Sequence, residues 1–349
     1  MKNFLKNEKE NITINQAMVE NKPQRKIFID ALRGMAMLIV VYGHCLLSKS
    51  TTDYAPFFVF TSPWNVALFF SISGYLFSPR GGDVKVFFKY IFRRLIVPWL
   101  VLGLFPYTHI LQTLPQLLSG ETLWFMPALI IAEIVWFFVF KLCHDDEKKV
   151  IFVGLILSAI GLLLYKYNVM NYAMFNRALT VLWLFVLGLM LRKYEIKLVA
   201  VVKRFLIPFA LLYIVLGVIF LLLYPNCFYD IHVNRYYFIP LTWGIIALGI
   251  IIAFSVFSNI NKFPNWLILI GKNTLVVYIL HGYGRYLFSK ILTLLPLPYT
   301  LLPYPVLAVF EMAFACAICL GLSLLVNRFV PEIVGLKRHR SNETEKRVK

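Results

Sequence analysis

The sequence predicts an all-α membrane protein whose helices cross the bilayer about ten times. Of its 349 residues, 60% are hydrophobic and only 15% are charged, whereas a soluble domain carries about 25% charged residues. Apolar runs of roughly 17 to 25 residues recur along the chain, and this is the length that a helix needs to cross a bilayer. Both observations exclude a soluble globular domain and predict a polytopic helical protein.

Ten apolar segments are long enough to span the membrane, and short polar stretches separate them. They cover residues of about 27–48, 62–79, 95–111, 122–141, 149–166, 177–192, 204–224, 236–258, 269–289 and 301–327. We therefore expect one membrane domain at 27–327. Residues 1–26 are predicted to form a cytoplasmic N-terminal tail, and residues 328–349 a basic cytoplasmic C-terminal tail.

The distribution of Lys and Arg predicts the orientation of these spans. The net charge is +18, but the basic residues lie in short segments between apolar runs, so we predict membrane lipid rather than nucleic acid as the partner. The tails and alternate loops on one side hold 28 of the 35 Lys and Arg residues, and the opposite loops hold six. Cytoplasmic segments carry such an excess. Both termini are therefore predicted to be cytoplasmic.

The first span carries a polar stripe. Arg33 and His44 are eleven positions apart, so they lie about 20° apart around the helix and about 16 Å apart along it, with Asp30 within about 40° of the same line. An ionisable side chain near mid-membrane costs about 2.5–3.5 kcal/mol on insertion scales. Either the stripe serves a function, or Asp30 and Arg33 form an interfacial pair and His44 makes a hydrogen bond between helices.

Further polar groups follow in the second and third segments. Ser73 and Gly74, with Ser71, are small enough to let a neighbouring helix approach closely. The basic run that contains Arg93 and Arg94 suits either an anchor to anionic lipid or a phosphorylated cytosolic ligand, because guanidinium binds phosphate through two parallel hydrogen bonds.

Later spans carry polar residues at membrane depth. Glu133 and Glu311 must each pair, bind a proton or face a polar cavity. Trp124 suits an interfacial position, and Asn273 and His281 lie in the ninth span, where His281 is predicted to donate a structural hydrogen bond. No metal site is predicted, since the one loop rich in possible ligands, at 143–146, has a single Cys and a single His.

Taken together, these segments resemble the acyltransferase-3 family of integral membrane O-acyltransferases, of the type that acetylates surface glycans. The resemblance covers residues 27–327 and rests on five elements in order. These are Arg33 followed by ten residues and His44, SGYL, the basic run leading to Pro98, LWFMPAL and GKNTLVVYILHGY.

The resemblance implies an activity and a set of site residues. The donor would be acyl-CoA, most simply acetyl-CoA, and the acceptor a hydroxyl of a cell-envelope carbohydrate or a lipid-linked glycan. His44 would be the catalytic base, because acyl transfer to an alcohol needs a base with a near-neutral pKa. With it we expect the acids Asp30 and Glu133, the donor-binding Arg33, Arg93 and Arg94, and the cavity residues Ser73, Gly74, Trp124, Asn273 and His281.

A second class of function remains open. A non-enzymatic carrier or exporter of a glycan or lipid intermediate could use His44 and the acids to couple transport to protons. Such a carrier should show broken helices at corresponding positions of two halves. In either case the chain is expected to be a multi-pass protein of the cell membrane, with the bacterial plasma membrane as its location.

Overall fold

The computed structural model describes residues 26–48, 53–104, 110–294 and 302–336, and these fold into helices joined by short connections. In chain order the α-helices are α1 (Ile27–Leu47), α2 (Ala55–Thr61), α3 (Val66–Leu76), α4 (Val84–Ile91), α5 (Val97–Leu104), α6 (Ile110–Ser119), α7 (Phe125–Leu142), α8 (Glu147–Lys166), α9 (Phe175–Thr180), α10 (Leu182–Lys193), α11 (Glu195–Arg204), α12 (Leu206–Leu223), α13 (Ile239–Ser258), α14 (Asn265–Lys272), α15 (Thr274–Leu294) and α16 (Tyr304–Phe329). Extended structure within the described ranges is limited to an isolated bridge between Asp230 and Arg235. The all-α prediction is confirmed.

The described part of the chain has seven helices long and apolar enough to span a membrane, or up to nine if each of two bent pairs is one span. The bent pairs are Tyr172–Thr180 with α10, at 44°, and α14 with α15, at 93°. The protein is therefore a multi-pass membrane protein, but the predicted count of about ten is not confirmed. The predicted third span meets only the eight-residue α5, which follows a π turn at Phe92–Ile96, and residues 105–109 lie outside the described ranges.

The two tails stay predictions. Residues 1–25 and 337–349 lie outside the described ranges, and the cytoplasmic placement of both termini rests on the charge bias alone. At the C-terminal boundary, α16 continues to Phe329, and a short 3₁₀ turn follows at Pro331–Val334.

Burial separates an inner group of spans from an outer one. The apolar windows of α1, of α2 with α3, and of α7 are 56%, 61% and 67% buried, whereas those of α8, α12 and α16 are 22%, 17% and 22% buried. The poorly buried helices are mostly apolar, as expected of helices whose outer faces contact lipid. The core of the protein therefore lies around α1, α3 and α7.

Close helix crossings hold this core together. On α1, Gly34 lies against the backbone of α14 at Leu267, and Gly271 on α14 lies in turn against the carbonyl of Asp30. A Cβ at either glycine would overlap a backbone carbonyl, so these crossings require glycine. Gly74 on α3 packs in the same way against the backbone of Phe185 on α10, which confirms the predicted close approach of a neighbouring helix there.

The connection between α12 and α13 folds back onto the helices. The Tyr229 hydroxyl donates to the carbonyl of Val59 at 2.6 Å, and Arg177 Nε donates to the carbonyl of His232 at 3.1 Å. These bonds satisfy backbone oxygens that would otherwise be buried without partners. They fix the segment Phe228–His232, which forms a wall of the candidate site.

Candidate active site

Two cavities lie end to end along α1. The first, of about 240 Å³, is lined by Arg33, Met37 and Val40 of that helix. The second, of about 160 Å³, is lined by Val40, Gly43 and His44 among others. Val40 and Val66 line both cavities. We call the first the arginine cavity and the second the histidine cavity.

The arginine cavity gathers charge from three parts of the chain. Its charged lining residues are Arg33, Arg80, Arg94 and Glu133. Arg33 Nη2 donates to Thr274 Oγ1 at 3.3 Å, which links α1 to the first residue of α15. Most of the remaining lining is apolar. Arg80 and Arg94 are exposed, whereas Arg33 and Glu133 are partly buried.

Local structure explains how the basic side chains reach this cavity. Asp83 caps α4, accepting hydrogen bonds from the backbone N–H of Lys85 at 2.8 Å and of Val86 at 3.1 Å. The helix then passes through the π turn that holds Arg94. A π turn adds about one residue to the helical repeat and so rotates the side chains that follow it.

The histidine cavity has a polar wall of its own. His44 is exposed to it and shares it with Trp124, Asp230 and His232. The Trp124 and His232 rings are stacked with centroids 4.9 Å apart, and Asp230 Oδ1 accepts from the backbone N–H of His232 at 2.8 Å. Burial lowers the pKa of His232, opposed by the nearby Asp230 carboxylate. The His232 ring is therefore neutral near pH 7.

His281 lies directly beside the catalytic candidate. The rings of His44 and His281 have centroids 5.1 Å apart. His281 Nδ1 is 2.7 Å from the carbonyl of Tyr278 and 3.2 Å from that of Val277. Because a carbonyl only accepts, Nδ1 carries a proton and donates it, as predicted from the sequence for a structural histidine. A neutral ring then has its lone pair on Nε2.

The predicted residues divide between the two cavities. Arg33, Arg94, Ser73 and Glu133 line the arginine cavity. His44 and Trp124 line the histidine cavity. Glu133 and His44 therefore line different cavities.

The acid on the wall of the histidine cavity is Asp230. The position of Glu133 at membrane depth does not determine which face of the bundle its side chain meets.

Five predicted residues line neither cavity: Arg93, Gly74, Asp30, Asn273 and His281, which lies beside His44. Arg93 is adjacent to Arg94, and successive helical residues point about 100° apart. Gly74 likewise turns away from Ser73 and packs on α10. Asp30 is buried where α1 crosses α14, about 21 Å along the helix from His44.

Asn273, the fourth of these, occupies the bend between α14 and α15. Its side-chain oxygen accepts from Ser323 Oγ at 2.6 Å and from Asn327 Nδ2 at 3.0 Å. Its amide donates to the carbonyl of Leu269 at 2.8 Å. The residue ties the bend to α16 and does not contact either cavity.

The structure also adds residues that the sequence analysis did not select. Arg80 was counted only as a topological charge, and nothing in the composition of the connection after α12 marked Asp230 and His232 as site residues.

Glu311 pairs with Arg285 Nε at 2.7 Å, which resolves how that carboxylate is accommodated. Within the described ranges, no three His, Cys, Asp or Glu side chains are grouped as a metal site would require.

The fold and these cavities define a multi-pass helical membrane protein with a cationic cavity next to a histidine cavity. The sequence model of the acyltransferase-3 family, described as an acyltransferase domain, matches residues 26–327. The chain therefore belongs to the acyltransferase-3 family and is a membrane acyltransferase. No curated protein and no solved structure matches it.

Proposed function

We propose that the protein transfers an acyl group, most simply acetyl, from acyl-CoA to a hydroxyl of a cell-envelope carbohydrate or of a lipid-linked precursor, at the bacterial plasma membrane. The observation that carries this proposal is the contact between the two cavities at Val40 and Val66. It supports a path with guanidinium groups at one end and an imidazole base at the other, about 16 Å apart along α1.

The phosphorylated head of the donor suits the charge of the arginine cavity. Acyl-CoA has an anionic, phosphorylated head and a long thin arm that ends in the thioester. Guanidinium groups bind phosphate through charge-assisted hydrogen bonds. With the head held near Arg33 and Arg94, the arm would extend along α1 towards Val40 and bring the thioester carbonyl near His44.

The acceptor hydroxyl fits the histidine cavity. His44 would remove the proton as the hydroxyl oxygen attacks the thioester carbonyl. The new C–O bond forms, the C–S bond breaks, and the thiolate of CoA takes a proton from the imidazolium. The cavity volume of about 160 Å³ is below the range of about 300–1,000 Å³ for sites that enclose drug-sized ligands, so it favours one sugar ring or a chain end.

The breaks in the helices give little support to the alternative function, that of a non-enzymatic carrier. The two bent pairs lie at 172–193 and 265–294, so both fall in the second half of the chain. A carrier built from two halves should place them at corresponding positions in each half. The breaks support local shaping of the bundle around α1 instead.

The experiment measures acetyl-CoA binding and acetylation by the full-length protein in vesicles, with radiolabelled acetyl-CoA and a panel of glycan acceptors. His44→Ala should leave acetyl-CoA binding nearly intact and reduce turnover by about 10²–10⁴-fold, the usual range for loss of a general base. If the wild-type protein does not bind acetyl-CoA above background, the enzyme proposal fails, and a non-enzymatic carrier becomes the better explanation.

The arginines provide a matched pair for the donor site. Arg94→Ala should weaken acetyl-CoA binding by about 10- to 150-fold, because a hydrogen bond to a charged group contributes about 1.5–3 kcal/mol. Arg93→Ala removes the neighbouring charge, which does not line the cavity, and should have a much smaller effect. Equal losses in both variants would contradict a specific site and indicate a general effect of surface charge.

A further inference from the structure

Arg80 lies in a backbone conformation that calls for an explanation. Three consecutive residues have positive φ, at 51° for Arg80, 65° for Gly81 and 73° for Gly82. Glycine adopts such angles readily, but for arginine they are unfavourable because Cβ crowds the backbone. A Cβ built on Gly81 or Gly82 would meet nothing within 4 Å. The two glycines thus serve the backbone of the turn and not its packing.

The result of this turn is the position of the Arg80 side chain. Its guanidinium carbon lies 3.7 Å from the centroid of the Tyr90 ring, and that of Arg94 lies 5.8 Å from the same centroid. A guanidinium stacked on a ring uses its face and keeps its N–H edge for a planar or tetrahedral anion. Tyr90 therefore aligns two guanidinium groups that come from different segments.

The charges in the cavity are unbalanced. The charged lining groups of the arginine cavity are three arginines and the single carboxylate of Glu133, a net charge of +2. Like charges that converge on one cavity repel one another, and an anion bound between them removes that repulsion. A ligand that carries two negative charges would balance the lining.

We propose that Arg80 is the third guanidinium of a phosphate-binding site in the arginine cavity, presented by the Arg80–Gly82 turn and aligned with Arg94 by the Tyr90 ring. The ligand is a phosphate ester. Taking that ester to be the phosphorylated head of the acyl donor rests on the proposed function, and the headgroup of an anionic lipid offers the same chemistry.

The first experiment measures equilibrium binding of acetyl-CoA to the full-length protein in vesicles of phosphatidylcholine. Arg80→Gln should weaken binding by about tenfold or more, and Arg80→Lys by less, because the ammonium keeps the charge but loses the planar edge. The matched control is Lys89→Gln, which removes an exposed charge beside Tyr90 and lies outside the cavity lining. Its affinity should stay within about twofold of wild type, since Lys89 does not line the cavity that would hold the phosphate.

A ligand without phosphate identifies the group that Arg80 binds. S-acetylpantetheine carries the thioester but no phosphate, so wild type and Arg80→Gln should bind it equally. Gly81→Ala and Gly82→Ala meet no steric obstacle, so they act through the turn and should weaken acetyl-CoA binding as Arg80→Gln does. Equal binding of acetyl-CoA by wild type and Arg80→Gln overturns the donor assignment, and equal losses for S-acetylpantetheine overturn the phosphate contact.

An experiment with anionic lipid distinguishes the two possible sources of the phosphate, which are acyl-CoA and a lipid headgroup. The thermal stability of each protein is compared in vesicles of phosphatidylcholine alone and with phosphatidylglycerol added. If phosphatidylglycerol stabilises wild type but not Arg80→Gln, and wild type does not bind acetyl-CoA, the proposed function fails while the phosphate site remains, with a lipid headgroup as ligand. If neither acetyl-CoA nor phosphatidylglycerol distinguishes the two proteins, the site itself is refuted.

Discussion

A substitution of Asn273 tests whether this residue supports the fold or forms part of the substrate cavity. The sequence predicts it in the substrate cavity, whereas the structure places it at the bend between α14 and α15. There its oxygen accepts from Ser323 Oγ at 2.6 Å and from Asn327 Nδ2 at 3.0 Å. Asn273 is 8% exposed and Ser323 is fully buried, so water cannot replace the lost acceptor for Ser323.

The perturbation is Asn273→Ala. It removes two hydrogen bonds to α16 and one to the carbonyl of Leu269. Hydrogen bonds between membrane helices contribute about 0.6 kcal/mol on average and up to about 1.7 kcal/mol each. We therefore expect the free energy of unfolding to fall by about 1–3 kcal/mol. The KM values for donor and acceptor should not change, because the residue lines neither cavity.

The measurement is denaturant unfolding in mixed micelles, combined with steady-state kinetics. Asn259→Ala is the matched control, since Asn259 Nδ2 donates to the carbonyl four residues earlier, at 2.7 Å. It is exposed at the end of α13, and its loss should cost little. If Asn273→Ala is no more destabilising than this control, the structural account is wrong. A raised acceptor KM with unchanged stability would restore Asn273 to the substrate cavity.

Three further substitutions test the two cavities and their support. Glu133→Gln removes the carboxylate from the arginine cavity. Because that negative charge opposes an anionic ligand, acetyl-CoA binding should tighten by roughly fivefold, and weaker binding would contradict this role of Glu133. Asp230→Asn should raise the acceptor KM or lower kcat by about tenfold and leave the acetyl-CoA Kd unchanged, and a parallel rise in that Kd would count against separate cavities. Glu311→Gln breaks a 2.7 Å pair with Arg285 whose side chains are 12% and 20% exposed, and should lower the free energy of unfolding by about 3–5 kcal/mol. Unchanged denaturant unfolding of that variant would show that the pair is solvated.

The sequence predicted well what a single helix determines. The rise and rotation per residue place Arg33 and His44 on one line of α1, and the structure has them in successive cavities along it. The apolar runs likewise predict the spanning segments, because only length and composition enter. The third predicted span is not confirmed, because the helix found there, α5, has eight residues and residues 105–109 lie outside the described ranges.

Contacts between helices were not predictable in the same way. Ser73 lines the arginine cavity while Gly74, one residue on, packs on α10, and only the packed bundle decides which of the two faces the cavity. Asp230 reaches the histidine cavity because the connection after α12 folds back over it. Its position therefore depends on hydrogen bonds between segments distant in sequence, and no local pattern of residues predicts it.

The shared pair Val40 and Val66 has a consequence for the membrane as an electrical insulator. If the two cavities open on opposite faces, as the bias of basic residues predicts, any continuous column of water between them would conduct protons. Val40 and Val66 are stiff, β-branched hydrocarbon side chains in the linings of both cavities. A narrow passage between such side chains would lose its water spontaneously, as apolar gates of channels do. An uncharged, slender thioester arm could pass such a dry constriction, while hydrated ions would be held back. The same two residues would then let the acyl group through and keep the membrane potential intact.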